Sequence, residues 1–377
     1  MIQLRNIDRY NLAKLLSSLV SDANDAKSIC AELIDDTEPT DIKTLNYGGV
    51  IIDGVSPMQM WTNIIVAAET QKLLLQAVEV VKKRNATNVH ISEFYDEIKG
   101  GFEKRVFKIA HAIKNKECVL FIGPELLQCT NGGNLDAFNR FFALQLSTML
   151  TNKAVYFDEN AKDSLSYIAN RYEAIPNTTN RDIGKLAEKT YAKTNIYKEV
   201  YKKIALLKFP LIITTNPDDI LENEYTAQGI SFSSGYYDRS NQDKNETVYD
   251  EKNSIIYKIF GSFQSPYSIL FTDNDRVQFS KNVVKNDPQV PPLIKVLLDN
   301  KYCLFLGFNF EEWHLRILID CLGLSKEDKE EKIFALLMDK AKESNIEHFE
   351  KNYKFYFIND QIEEFMNAVI KTMQSIP

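Results

Sequence analysis

The chain is poor in the residues that punctuate or staple a fold: its 377 residues include only 14 glycines, 11 prolines and 5 cysteines. Sparse glycine and proline, beside 22 phenylalanines and 18 tyrosines, exclude long low-complexity segments and argue against extended disorder. The five cysteines (Cys30, Cys118, Cys129, Cys303 and Cys321) are odd in number and contain no Cys-x-x-Cys pair. Neither a disulfide framework nor a metal site is therefore expected, and reduced cysteines packed in a core are. Positive charge is also in deficit. The formal net charge of −7 leaves no sequence-wide field to draw in nucleic acid, although a local basic patch stays open. No apolar run approaches the roughly 18 residues of a membrane span. Residues Met1–Arg5 lead into charged sequence without a signal-peptide core. A cytoplasmic protein that touches neither membrane nor nucleic acid directly is expected.

What is present supports packed cores: 44% of the residues are hydrophobic, and the length suits about two domains on a prior of about 150 residues each. Residues 8 to 35 carry apolar positions at helical spacing (Leu12, Leu15, Leu16, Leu19, Val20, then Ile29, Leu33, Ile34), with Ser21-Asp22 as a break. After a turn at Tyr47-Gly48-Gly49, Ser56-Pro57 opens a helix bearing Met60, Trp61, Ile64, Ile65 and Ala68, and apolar character continues from Leu73 to Val81. These features predict a small all-helical domain over residues 1–95.

From about residue 105 the pattern changes. An amphipathic stretch, Phe107 to Ile113, feeds the uninterrupted apolar run Cys118–Ile122, which suits a parallel strand buried on both faces. Similar runs recur at Leu211–Thr215, Ile255–Ile259, Cys303–Leu306, Ile333–Met338 and Tyr353–Ile358, with helical segments between most of them (Leu135–Leu150, Leu165–Tyr172, Tyr197–Leu207, Trp313–Leu322, Ile362–Met373). The alternation predicts an α/β domain over residues 105–377, a doubly wound parallel sheet whose ligand crevice lies beyond the carboxyl ends of the strands. The polar stretch Ser240–Lys252 reads as a surface loop, and Asp273–Asp287 as a second, less regular one; either could be a lid.

Four segments carry candidate chemistry. The turn Gly123-Pro124-Glu125 follows the first strand, where free N–H groups at a helix start would favour a pyrophosphate. The same residues are also a good helix start in their own right, and Pro124 removes one donor while Glu125 brings an anion. In Thr214-Thr215-Asn216-Pro217-Asp218-Asp219, Asn216 could orient a ribose or a water, or could simply cap a helix begun by Pro217. Tyr257-Lys258-Ile259-Phe260-Gly261-Ser262 ends a strand on a phenyl ring, which cannot accept a proton. Gly307-Phe308-Asn309 follows the fourth, and His314 lies just beyond it.

The order of these segments resembles the sirtuin-like domains of bacterial antiphage and conflict-system proteins, over roughly residues 105 to 360. That resemblance implies a Rossmann-like fold, NAD as ligand or substrate, and no metal. It implies Gly123, Pro124, Glu125, Thr215, Asn216, Gly261, Gly307 and Asn309 as binding residues, with Asn216 and Asp219 beside the nicotinamide ribose. Active relatives read Gly-Ala-Gly where this chain has Gly123-Pro124-Glu125, and carry a histidine base where it has Phe260. His314 is then the substitute base nearest the segment, and the catalytic set reads as degenerate; an active NAD hydrolase is the alternative. Protein deacylases of this kind often carry a four-cysteine zinc module, which the cysteine pattern lacks. The helical portion, through Val50-Ile51-Ile52, Ser56-Pro57, Trp61 and Ala67-Ala68-Glu69, resembles the effector-associated adaptor domains of such systems, which implies a protein partner and homo-oligomerisation. A helical lid with Trp61 in its core is the alternative reading.

Overall fold

The computed structural model describes residues 6–22, 24–29, 56–70, 74–85, 87–240, 253–324, 332–337, 343–358 and 360–376, and the structural statements below concern these. The predicted turn at Tyr47-Gly48-Gly49, the apolar run Val50-Ile51-Ile52, Cys30, Leu33, Ile34 and residues 241–252 of the polar loop lie outside them. The chain divides into two compact units, Met1–Lys108 with Phe357–Thr372 and Ile109–Tyr356 with Met373–Pro377.

The first unit is built on helices α1 (Asn6–Leu19), α2 (Pro57–Thr70), α3 (Leu74–Arg84) and the start of α4 (Val89–Lys114). Their apolar positions converge in one cluster that buries Leu12, Leu16, Trp61, Ile64, Val78 and Val81. Ser56 Oγ accepts the Gln59 N–H at 3.3 Å, so the helix starts at the predicted serine–proline step. Trp61 is fully buried, and its indole N–H donates to the Val20 carbonyl at 2.7 Å, which ties α2 to the end of α1. Residues 95–105 are helical throughout, inside α4.

The second unit carries the predicted fold. A seven-stranded sheet runs in the order β5 (Phe232–Tyr236), β6 (Ser254–Lys258), β4 (Leu211–Thr214), β1 (Cys118–Ile122), β7 (Tyr302–Leu306), β8 (Ile333–Leu336), β9 (Phe355–Ile358). β1 pairs in parallel with β4 on one side and β7 on the other, Val119 standing opposite both Leu211 and Cys303. Its five residues are all buried, as the unbroken apolar run requires of a strand covered on both faces. Phe121 and its register partner Phe305 stack with centroids 4.3 Å apart, adding a cross-strand aromatic contact to the pairing. Because the chain leaves β1 towards β4, β6 and β5 and later returns to its other side through β7, the strand order switches at β1. The loops after β1, β4, β6 and β7 gather there at the carboxyl edge.

Two elements depart from the sequence reading. Residues 128–137 form an antiparallel hairpin, β2 (Gln128–Asn131) with β3 (Asn134–Ala137), so the helix expected from Leu135 begins at Phe138 instead (α5, Phe138–Asn152). The stretch Asp273–Asp287 is no loose lid. Asp273–Lys285 is one helix (α10), fixed at its start by a reciprocal cap between Thr272 and Asp275.

Candidate functional site

At the carboxyl edge the strand loops enclose a cavity of about 640 Å³, counting space open to solvent. Of the residues singled out from sequence, Pro124, Thr215, Asn216, Phe260 and His314 line it. Gly123, Glu125, Asp219, Gly261, Gly307 and Asn309 do not, and each has a visible structural task or an exposed position.

Gly123 opens no α-helix but does cap a short 3-10 one, with Pro124 at its first position and Glu125 in its first turn, as the helix-start reading expected. Pro124–Leu126 form a single 3-10 turn that passes into the hairpin, because the chain must reverse at once to reach β2. The amides of that turn are all engaged internally. Gly123 N–H donates to the Leu306 carbonyl (2.8 Å) and Glu125 N–H to the Gly307 carbonyl (2.9 Å). Leu126 and Leu127 N–H groups donate back to Gly123 and Pro124 (both 3.3 Å), and Pro124 has none to give. A Cβ on Gly123 would stand 2.2 Å from the Gly307 carbonyl oxygen and 2.7 Å from the Phe308 ring, and one on Gly307 would stand 2.6 Å from the Leu126 nitrogen. The two glycines let the β1 and β7 loops touch backbone to backbone. The space beside the Gly123 Cα is filled by Gly307 and Phe308.

Asn216 is not a helix cap. The following helix, α9 (Ile220–Ala227), starts three residues beyond Pro217, with exposed Asp219 at its N-cap and the Asp218 carboxylate accepting the Ile220 N–H at 3.0 Å. Asn216 is buried. Its N–H donates to Thr214 Oγ1 (3.0 Å) and its side-chain amide donates to the Gly123 carbonyl (3.1 Å), holding the β4 loop against the β1 loop. Thr215 Oγ1 reaches the Ile122 carbonyl at 3.2 Å. Asn309 folds on itself, its Oδ1 accepting the Glu311 N–H at 2.9 Å. Gly261 packs against the backbone of Ser268.

Phe260 closes one wall. Its ring meets the Phe279 ring at 5.5 Å and the His314 imidazole at 6.1 Å, edge-on in both cases. His314 is largely buried, and its Nδ1 lies 3.3 Å from Glu312 Oε2 but out of line for a hydrogen bond. Burial depresses its pKa, Glu312 opposes that, and the nearby Arg276 charge lowers it further.

Sequence reasoning missed the buried charges at or just past the ends of β4 and β6 and the arginine on the cavity wall. Lys258, on β6 and only 2% exposed, pairs with Glu222 of α9 across 2.6 Å. Asp218 is 5% exposed, its Oδ2 is buried without a partner, and burial pushes its pKa from 3.8 up to about 6. Arg276, on the first turn of α10, lines the cavity and donates to Asp273 Oδ1 at 3.1 Å. The legible signal for Arg276 was the Thr272-x-x-Asp275 cap, which marks the helix that carries it; nothing in the one-dimensional pattern marks Asp218 or Lys258 as buried. Among the described residues, no group of three or more histidine, cysteine or acidic side chains is placed to hold a metal ion, and no helix is long and apolar enough to cross a membrane.

The cavity wall combines the polar groups of Thr215, Asn216, Arg276 and His314 with the rings of Phe142, Phe260, Phe263 and Phe271, and the amides of the Gly123 turn are bonded within the protein. No curated protein matches the chain in sequence. Residues 210–358, which begin at β4 and run through β9, match the family model of a SIR2-like domain, a fold of NAD-related nucleotide binding.

Proposed function

We propose that the α/β unit is a sirtuin-like nucleotide-binding module whose catalytic set has degenerated, so that it binds an NAD-type ligand at the carboxyl edge of its sheet without turning it over appreciably. One observation carries the reading. The strand end that would hold a general base in the cavity carries Phe260, packed between Phe279 and His314. General-base help is worth about 10²- to 10⁴-fold, and a phenyl ring supplies none of it. Thr215 and Asn216 present the polar edge that a ribose would meet. Purified full-length chain titrated with NAD should give saturable binding and no nicotinamide release above a protein-free control. Robust release would overturn the reading.

A second reading, an active NAD hydrolase, is favoured by the position of His314 against Phe260. In that case His314→Ala abolishes nicotinamide release. The resemblance of the helical portion to effector-associated adaptors supports a cytoplasmic immune role, in which residues 1–95 form a separate domain that recruits a protein partner and the chain assembles with its own copies. Size-exclusion chromatography with light scattering tests the self-assembly, and loss of oligomers on deletion of residues 1–95 would assign it to the helices.

A further inference from the structure

We propose that the cavity selects ligands bearing one anionic group, phosphate or carboxylate, on an aromatic or apolar body, and that Arg276 together with His314 anchors the anion. The inference deepens the nucleotide reading and rests on it for the class of ligand, but its chemistry comes from different residues. An anion entering this crevice cannot use the Gly123 turn, whose N–H groups are already bonded within the protein. It needs donors elsewhere. Arg276 is permanently charged and its side chain is only 13% exposed. One end of its guanidinium meets Asp273, a half-exposed carboxylate, while Nε is buried without a partner. His314 Nδ1 is the second such nitrogen on the cavity wall, since Glu312 stands out of line with it. Leaving the buried Arg276 Nε–H unpaired is costly, and an anionic oxygen would satisfy it, with the His314 ring as a second donor from whichever nitrogen carries its proton. The two groups sense each other, because the Arg276 charge depresses the His314 pKa.

The anchor is also held in place before any ligand arrives. Asp275, the neighbour of Arg276, accepts the Phe271 and Thr272 N–H groups (3.1 and 3.0 Å) and the Asn180 side-chain amide (2.8 Å), and pairs with Arg239. With four partners on one buried carboxylate, the first turn of α10 has little freedom, and a fixed guanidinium loses little entropy on binding. Phe142, Phe260, Phe263 and Phe271 also line the cavity and offer surface for a flat or apolar body. The nearby carboxylates Asp273 and Glu312 are about half exposed and water-screened and do not line the cavity, whereas Arg276 does.

The test is calorimetric titration of the full chain with matched pairs: adenosine 5′-monophosphate against adenosine, phenyl phosphate against phenol, nicotinate against nicotinamide. The anionic member of at least one pair should bind at least tenfold more tightly, and Arg276→Gln should erase that advantage while leaving affinity for the neutral member unchanged. Equal affinity within every pair, an advantage that survives in Arg276→Gln, or no binding at all overturns the proposal. If adenosine and its monophosphate bind equally and neither of the other pairs discriminates, the anchor fails and the nucleotide reading stands. If only phenyl phosphate or nicotinate binds, and does so through Arg276, the anchor stands and the nucleotide reading fails. Should Arg276→Gln not fold, inorganic phosphate competing with the anionic member but not the neutral one in the unaltered chain supports the anchor, and lack of such competition rejects it.

Discussion

Phe260 and His314 meet edge to face, ring centroids 6.1 Å apart and planes inclined at 60°. One comes from the end of β6 and the other from the helix after β7 (α12, Trp313–Cys321), so the contact bridges both sides of β1. The phenyl ring takes part in a packed aromatic group and does more than fill the position of a base. Burial in turn lowers the His314 pKa. The site's chemistry and its packing are therefore one problem, and substitutions there have to be read for both.

The closest backbone approach at the site gives the first prediction. Gly123→Ala puts a methyl group 2.2 Å from the Gly307 carbonyl oxygen, and Gly307→Ala puts one against Leu126 with φ at +74°, where side chains are strained. Each should lower stability by roughly 2–4 kcal/mol in urea unfolding without any nucleotide present. Because both open the same contact, the double variant should cost clearly less than the sum. A neutral Gly123→Ala would mean that the loops do not touch as described.

How much of this was legible beforehand follows from what sets each element. Runs such as Cys118–Ile122 and Ile255–Lys258 announced buried parallel strands, since burial on both faces demands uninterrupted apolar sequence. The edge strand Phe232–Tyr236 escaped notice because its Ser-Ser-Gly centre lacks that signature. The hairpin around Asn131-Gly132-Gly133-Asn134 was readable from its turn, where both glycines have positive φ, but the helical pattern after it dominated. At the site, Thr215, Asn216 and Phe260 lie just past strand ends and line the cavity. The pairing of Gly123 with Gly307 and the burial of Asp218, Lys258 and Arg276 depend on contacts between distant segments, and no local pattern encodes them.

Asp218 makes the stability depend on pH in a definite sense. Its folded pKa, about 6, lies above the ordinary 3.8, so the native state holds the proton more tightly than the unfolded chain. The group therefore costs nothing below about pH 4, costs progressively more as pH rises to about 6, and carries its full penalty above that. At about 1.4 kcal/mol per unit the penalty is roughly 2–3 kcal/mol. Asp218→Asn keeps an acceptor for the Ile220 N–H and removes the ionisation, so its stability relative to the unaltered chain should improve between pH 4.5 and 7.5 by about that amount. A difference that does not change with pH would place the titration elsewhere.

The Lys258–Glu222 pair should behave as a buried ion pair does. Lys258→Met alone strands Glu222 in a poorly solvated setting and should cost roughly 3–5 kcal/mol, whereas Lys258→Met with Glu222→Leu should recover most of that loss. Urea midpoints of the three proteins decide it. If the single variant is nearly neutral, water reaches the pair more freely than its burial indicates.

Phe260→His asks whether the missing imidazole is the sole defect. The new ring would lie beside His314, lose apolar contact with Phe279 and cost on the order of 1–2 kcal/mol of stability, so folding has to be checked first. Were the base the only thing missing, nicotinamide release should rise by up to about 10²- to 10⁴-fold. We expect no such gain. The amides of the Gly123 turn remain bonded to Leu306, Gly307 and their own neighbours, and the Phe308 ring remains packed against Gly123, so a pyrophosphate still has no cradle in which to bring its sugar onto the new base. Release that stays at the protein-free level in Phe260→His fits a site closed at two places. A hundredfold rise would mean that the turn opens in solution and that Phe260 alone silences the enzyme.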